Sequence, residues 1–237
     1  MKIHCLFFLF FFLVLNIQSQ NHQLWNNLLQ KHVSVEGKVN YKAFLQDEAK
    51  LAKYLKELSE NPPQESWSLN KKKAYLINVY NAFTVQLILE NYPVNSIKDI
   101  GGLFASPFKK EFIPLGNKVY SLDAIEKEML LKLGDERVHF AINCASYSCP
   151  KLHNKAFTET NLEAKLEKLA VAFVNDKKLN NLQADQVELS KIFKWYKSDF
   201  ETDEQDLIDY LNKFSEIQIK ADAKISFKDY NWGLNGK

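Results

Sequence analysis

Two cysteines five positions apart, Cys144 and Cys149, lie in a run that also carries a histidine: Arg137-Val138-His139-Phe140-Ala141-Ile142-Asn143-Cys144-Ala145-Ser146-Tyr147-Ser148-Cys149-Pro150. Four chemistries fit such a pair. The thiols can close a disulfide, because a tight loop brings two Cα atoms within the roughly 4.4–6.8 Å that a bridge spans. So short a ring restrains little chain entropy and would be labile. Alternatively, Cys144 can be a nucleophile for acyl transfer or hydrolysis, its thiolate favoured by loop amides and a nearby histidine. The pair can also exchange with other thiols and disulfides, although C-x4-C is not the C-x-x-C of common redox motifs. Finally, Cys144, Cys149, His139 and His153 can be read as metal ligands, but their spacing matches no strong zinc pattern. No metal or other cofactor is expected.

Three more residues join the candidate chemistry. Asn78 and Asn81 stand three positions apart on one helix face, where their amides can orient His139, bind a substrate carbonyl or satisfy buried loop backbone. Glu126 can be an acid or base, or can complement a helix dipole or pair with Arg137. His139 can be catalytic or a satisfied core residue. The aromatic run Phe193, Trp195 and Tyr196 reads as core packing.

The elements that must position these groups follow from local signals. Ser68 caps a predicted helix over 69–90, which stops ahead of Pro93 and is apolar nearly all round from Ala74 to Val85, as a central core helix would be. Ser121 starts another that runs to about Leu133, with Gly134 as its terminator. Thr160 and Glu163 form a capping box for residues 161–174, and further helices are expected at 190–200 and 204–214. Strands are expected at 137–142, 187–189 and 224–227. The sum is a helix-rich α+β single domain with a small sheet.

Strand geometry over 137–142 has a consequence for the chemistry. Alternation sends His139 and Asn143 to one face, and five extended residues hold His139 about 16 Å from Cys144. A local base would then be His153, brought back by a turn through Ser148 and Pro150.

At the N-terminus Lys2 precedes an apolar run from Cys5 to Leu15 and then Asn16-Ile17-Gln18-Ser19-Gln20, the pattern of a signal peptide. The run is shorter than the roughly 20 residues that span a bilayer. Cleavage is expected near Ser19 or Gln20, leaving residues 21–237 as one secreted or periplasmic domain with no stable membrane anchor and, as thiols, Cys144 and Cys149. An oxidising compartment favours their bridging. The formal net charge is only +2, and Lys71-Lys72-Lys73 lies at a helix start as a solvated face, so a nucleic-acid partner is not expected. A small molecule or peptide is.

The chain resembles the DUF547 domain family across nearly all of residues 21–237. The resemblance rests on Trp25 and Gly37-Lys38-Val39-Asn40-Tyr41, on Ile77-Asn78-Val79-Tyr80-Asn81, on Ser121-Leu122-Asp123-Ala124-Ile125-Glu126, on Arg137-Val138-His139-Phe140-Ala141 with Cys144 to Pro150, on Leu189 to Tyr196 with Asp199-Phe200, and on Tyr230-Asn231-Trp232-Gly233-Leu234-Asn235. It implies that Asn78, Asn81, Glu126, Arg137, His139, Cys144 and Cys149 occupy family motifs, while His153 falls beyond them and Asn231 stands where the family often has Asp. The family carries no agreed reaction. Two functions therefore stay open: a small-molecule or peptide-processing enzyme in which Cys144 does covalent or redox chemistry, assisted by His139 through the tertiary fold and oriented by Asn78 or Asn81; or a non-catalytic binding module whose Cys144 to Cys149 disulfide fixes a recognition loop.

Overall fold

A computed structural model describes residues 22–101 and 105–236, so the leader expected over residues 1–20 lies outside the described residues. The chain opens with α1 (Gln23–His32), the short α2 (Tyr41–Phe44) and α3 (Glu48–Glu60). All three pack, directly or through one another, on α4 (Leu69–Glu90). Ser68 Oγ accepts the Lys71 N–H at 3.2 Å, and α4 keeps the predicted bounds. Every residue from Lys73 to Val85 is buried, which explains a sequence with no polar face.

Burying Asn78 and Asn81 in that helix requires partners, and both amides find them in distant backbone. Asn78 Nδ2 donates to Phe157 O at 2.7 Å while its Oδ1 accepts the Phe157 N–H at 3.0 Å. About one turn later, Asn81 Nδ2 donates to Ala141 O at 2.9 Å and Oδ1 accepts the Asn143 N–H at 2.8 Å. The core helix thus grips the chain on either side of the cysteine loop.

After α4 come the hairpin β1 (Ile113–Leu115) and β2 (Lys118–Tyr120), then the helical segment started by Ser121, whose Oγ accepts the Ala124 N–H at 3.1 Å. This segment reaches Leu133 and ends at Gly134, whose φ of +68° suits glycine. Its middle, Ala124–Leu130, is wound as a π-helix, a wider turn that is frequent at functional sites.

The strand expected over 137–142 is absent: Glu136–Phe140 is a 3₁₀ helix. A buried ion cluster overrides the alternating pattern. Asp135 Oδ1 accepts the Arg137 N–H at 3.2 Å, while its carboxylate takes Lys73 Nζ of α4 at 2.8 Å and the Arg137 side chain at 2.9 and 3.1 Å. Pinned there, the chain turns instead of extending. Val138 and Ala141 then enter the apolar cluster around α4, and Phe140 enters a second one. The second cluster is formed by α5 (Leu162–Val174), β3 (Asn181–Leu182), β4 (Gln186–Leu189), α6 (Ile192–Trp195), α7 (Lys197–Phe200), α8 (Leu207–Asn212) and β5 (Lys224–Phe227). β4 pairs antiparallel with β3 and parallel with β5. The result is a helix-rich α+β fold with small sheets of two and three strands.

Two local expectations change. Thr160 and Glu163 do not form the capping box; Thr158 Oγ1 accepts the Asn161 N–H and Asn161 Oδ1 accepts the Thr158 N–H, so the reciprocal pair forms two residues earlier and α5 starts at Leu162. The helix expected over 190–200 is broken at Tyr196 into α6 and α7. None of the described helices is long and apolar enough to cross a membrane.

Replacing Asn78 by Ala leaves the Phe157 N–H and C=O buried without partners. We expect a loss of about 2–4 kcal/mol of stability, read as a lower urea midpoint with an unchanged slope.

Candidate active site

The loop Asn143–Cys149 is built by one buried amide. Asn143, itself held by Asn81, donates through Nδ2 to Pro150 O at 2.7 Å and accepts at Oδ1 from the Ala145 N–H at 2.9 Å and Asn235 Nδ2 at 3.0 Å. Both ends of the loop are thereby joined. Ala145, directly after Cys144, has a φ of +59°, a left-handed conformation that costs a residue with a Cβ on the order of 1 kcal/mol. The C-terminal segment holds the loop in this shape: the Tyr147 N–H donates to Gly233 O at 2.7 Å, the Ser148 N–H to Asn231 O at 3.2 Å and the Asn235 N–H to Ala145 O at 3.0 Å.

Cys144 Sγ collects an unusual set of neighbours. Ser146 Oγ is 3.1 Å away and Tyr230 Oη 3.3 Å away, while Ser146 Oγ donates to Tyr230 Oη at 3.0 Å. The two thiols are unbridged, and Cys149 Sγ accepts the Cys144 N–H at 2.9 Å. Burial works against a thiolate at Cys144. Hydrogen bonds from Cys149, from the linked Ser146–Tyr230 hydroxyls and from the Ser146 backbone amide outweigh it and bring the Cys144 thiol down to about 7. Cys149 is driven the other way, well above its ordinary value, by burial and by the neighbouring Cys144 sulfur, so it stays a donor. Burial and the neighbouring Cys149 and Cys144 sulfurs push Tyr230 up as well, so its hydroxyl also keeps its proton.

Cys144 is half-buried and opens on a cavity of about 300 Å³ that Glu126 and His139 also line. Glu126, on the π-helical segment, is 4 % exposed and its Oε1 has no hydrogen-bond partner. Burial raises its pKa above the ordinary carboxyl value, only partly offset by hydrogen bonds from Tyr196 and Tyr80. The pairing with Arg137 weighed from the sequence is not formed, since Arg137 binds Asp135, Glu163 and Glu167. His139 Nε2 is 2.8 Å from Asp199 Oδ2, and its ring lies 4.1 Å from that of Tyr196. Because a carboxylate only accepts, Nε2 carries the proton and Nδ1 is left as the basic nitrogen. Burial lowers the His139 pKa despite Asp199, which keeps the ring neutral near pH 7.

With residues 136–140 helical rather than extended, the straight-strand separation of His139 from Cys144 no longer applies, and both reach one cavity. His153 does not line it. Its Nδ1 accepts the Lys155 N–H at 3.1 Å, and burial beside Lys165 lowers its pKa to about 4. Asn78 and Asn81 are absent from the lining too, because their amides hold backbone. Of the aromatic run, Phe193 is core, as expected. Trp195 is 47 % exposed, and it lines the cavity with Tyr196, Tyr230 and Trp232. Ring centroids of 4.7 Å for Trp195–Tyr230 and Tyr230–Trp232 make that wall continuous. Reasoning from local spacing missed Ser146, Asp199, Tyr196 and Tyr230. All four lie in the segments that carry the family resemblance, and that order of motifs was their only signal.

Fold and site together define a helix-rich α+β protein whose cavity gathers an acidified cysteine, a buried carboxyl and a histidine–aspartate pair. Residues 64–174 match the family model described as protein of unknown function, DUF547. The matched segment includes Asn78, Asn81, Glu126, His139, Cys144 and Cys149, while Asp199 and Tyr230 are supplied by the chain beyond it. Neither the curated proteins nor the solved structures contain a match to this chain.

Alkylation of Cys144 by iodoacetamide should follow an ionisation near pH 7. In Cys149→Ala the thiolate loses one donor, so the alkylation midpoint should move up by on the order of one pH unit, measured by peptide mass spectrometry across a pH series.

Proposed function

We propose that the protein is a cysteine-dependent acyl-transferring enzyme, a hydrolase or transferase acting on a small molecule or peptide, with Cys144 as the nucleophile. The observation that carries the reading is the depressed Cys144 thiol opening on a cavity that also holds a neutral histidine and a raised-pKa carboxyl. Opposed shifts of this kind separate an acid from a base within one site.

The steps follow from the protonation states. With its thiol brought down to about 7, Cys144 supplies thiolate near neutral pH and needs no base to attack. Its sulfur bonds to the acyl carbon, and as the bond to the leaving group breaks, Glu126, whose protonated form is favoured by burial, gives that group its proton. His139 then takes a proton at Nδ1 from water, or from an acceptor alcohol or amine, as that nucleophile attacks the thioester. The carbon–sulfur bond breaks and Cys144 returns as thiolate. The imidazolium formed on His139 is stabilised by Asp199 and loses its proton to solvent, and Glu126 is reprotonated. Asn78 and Asn81 are positioning residues in this reading, since they act through the loop they hold.

A second reading is favoured by the contact of the Cys144 amide with Cys149 Sγ. Two thiols so close are prepared for thiol–disulfide chemistry, or for a bridge that fixes the loop of a binding module. Export through the leader pattern at residues 1–20 would favour the bridged form.

With p-nitrophenyl acetate as acyl donor, the wild-type protein should release a burst of p-nitrophenolate and carry an acetyl group on Cys144 by mass spectrometry. Cys144→Ser should abolish the adduct, and His139→Ala should leave acylation largely intact but slow deacylation by about 10²–10⁴-fold. A Cys144 that takes no acyl group in the reduced protein would sink the acyl-transfer reading.

A further inference from the structure

Tyr230 lies outside the segment that matches the family, yet its hydroxyl is one of the atoms nearest the reactive sulfur, 3.3 Å from Cys144 Sγ. It is locked there. The ring packs against both Trp195 and Trp232, which stack on each other, and Oη takes the Ser146 hydroxyl at 3.0 Å, leaving the phenolic proton directed at the sulfur. The next residue, Asn231, is tied to the cysteine loop through its own N–H to Ser148 Oγ at 2.9 Å. A donor so fixed serves the thiolate before attack. When the sulfur bonds to an acyl carbon, negative charge leaves it and appears on the carbonyl oxygen one atom further on. The thiolate then no longer needs the donor, and the new oxyanion does.

We propose that Tyr230 is a catalytic residue whose hydroxyl passes from the Cys144 thiolate to the oxyanion of the tetrahedral intermediate, with Ser146 as the hydroxyl that orients it. This rests on the acyl-transfer reading and deepens it. The step balances without further reagents. The sulfur lone pair forms the carbon–sulfur bond, the carbonyl π pair moves to oxygen, and Tyr230 keeps its proton while its hydrogen bond changes acceptor. Collapse of the intermediate returns the pair to the carbonyl and expels the leaving group. Preorganised donors of this kind stabilise the charge that develops in acyl transfer, and removal of one slows the reaction by about 10²–10³-fold.

The experiment separates the two duties of the hydroxyl. Tyr230→Phe keeps the ring against the two tryptophans, and near-ultraviolet circular dichroism checks that the packing persists. Reaction of Cys144 with iodoacetamide displaces iodide and forms no oxyanion; reaction with p-nitrophenyl acetate does. Both rates are followed against pH in wild type and variant. For Tyr230→Phe the alkylation midpoint should rise by on the order of one pH unit. Well above that midpoint its alkylation rate should equal that of wild type, while acylation stays slower by on the order of 10²-fold. If acylation recovers together with alkylation, Tyr230 only sets the ionisation of Cys144 and the proposal is overturned. Absence of acylation in the wild type would remove the acyl-transfer reading itself, and this inference with it, an outcome visible before any variant is compared.

Discussion

Backbone pairing between the cysteine loop and the C-terminal segment is the constraint from which the site follows, because it sets the loop's shape and brings Tyr230 to the sulfur. The loop contains a left-handed Ala145, and the tail is too irregular to stand alone. Together they exchange hydrogen bonds through Tyr147, Ser148, Asn231, Gly233 and Asn235. The tail is anchored in turn on the N-terminal part of the fold. Tyr41 Oη donates to Asn235 Oδ1 at 2.7 Å, the Leu234 N–H donates to Asn95 O at 2.9 Å, and Gly236 runs so close to the Val39 backbone that no Cβ fits. Four segments distant in sequence therefore meet at one loop, and the conformational strain is overcome by the sum of these contacts.

The electrostatics follow from that geometry. In a site whose ionisable groups are largely buried, each moves according to what touches it, and the directions differ. Cys144 falls because several donors converge on one sulfur, whereas Cys149 rises because it is buried beside that same sulfur. Glu126 rises because it is buried with one oxygen unpartnered, and His139 falls because burial outweighs Asp199. Glu126 stands on the π-helical turn and His139 on the 3₁₀ turn, and both side chains line the cavity.

Much of the scaffold was legible because its signals are local. The bounds of α4 came from a serine cap and an apolar run, β5 from a short patterned stretch, and the end at Gly134 from a residue that tolerates positive φ. The reading of 137–142 failed for an equally physical reason. Alternation of apolar side chains describes a chain passing between two cores as well as it describes a strand, and the deciding partner of Asp135 was Lys73, 62 residues away. Thr160 and Glu163 likewise offered a cap that Thr158 and Asn161 formed instead, with Glu163 drawn off to Arg137.

By itself the sequence determined that Cys144 and Cys149 stand in one short segment with His139, that Asn78 and Asn81 share a buried face, and that the fold is helix-rich α+β. Those properties depend on residue type and on spacing within an element. Only the tertiary structure decided which groups surround the sulfur. Tyr230 arrives from 86 positions away, Asp199 meets His139 across 60, and a thiol is acidified by the donors that converge on it in space, which no local pattern specifies.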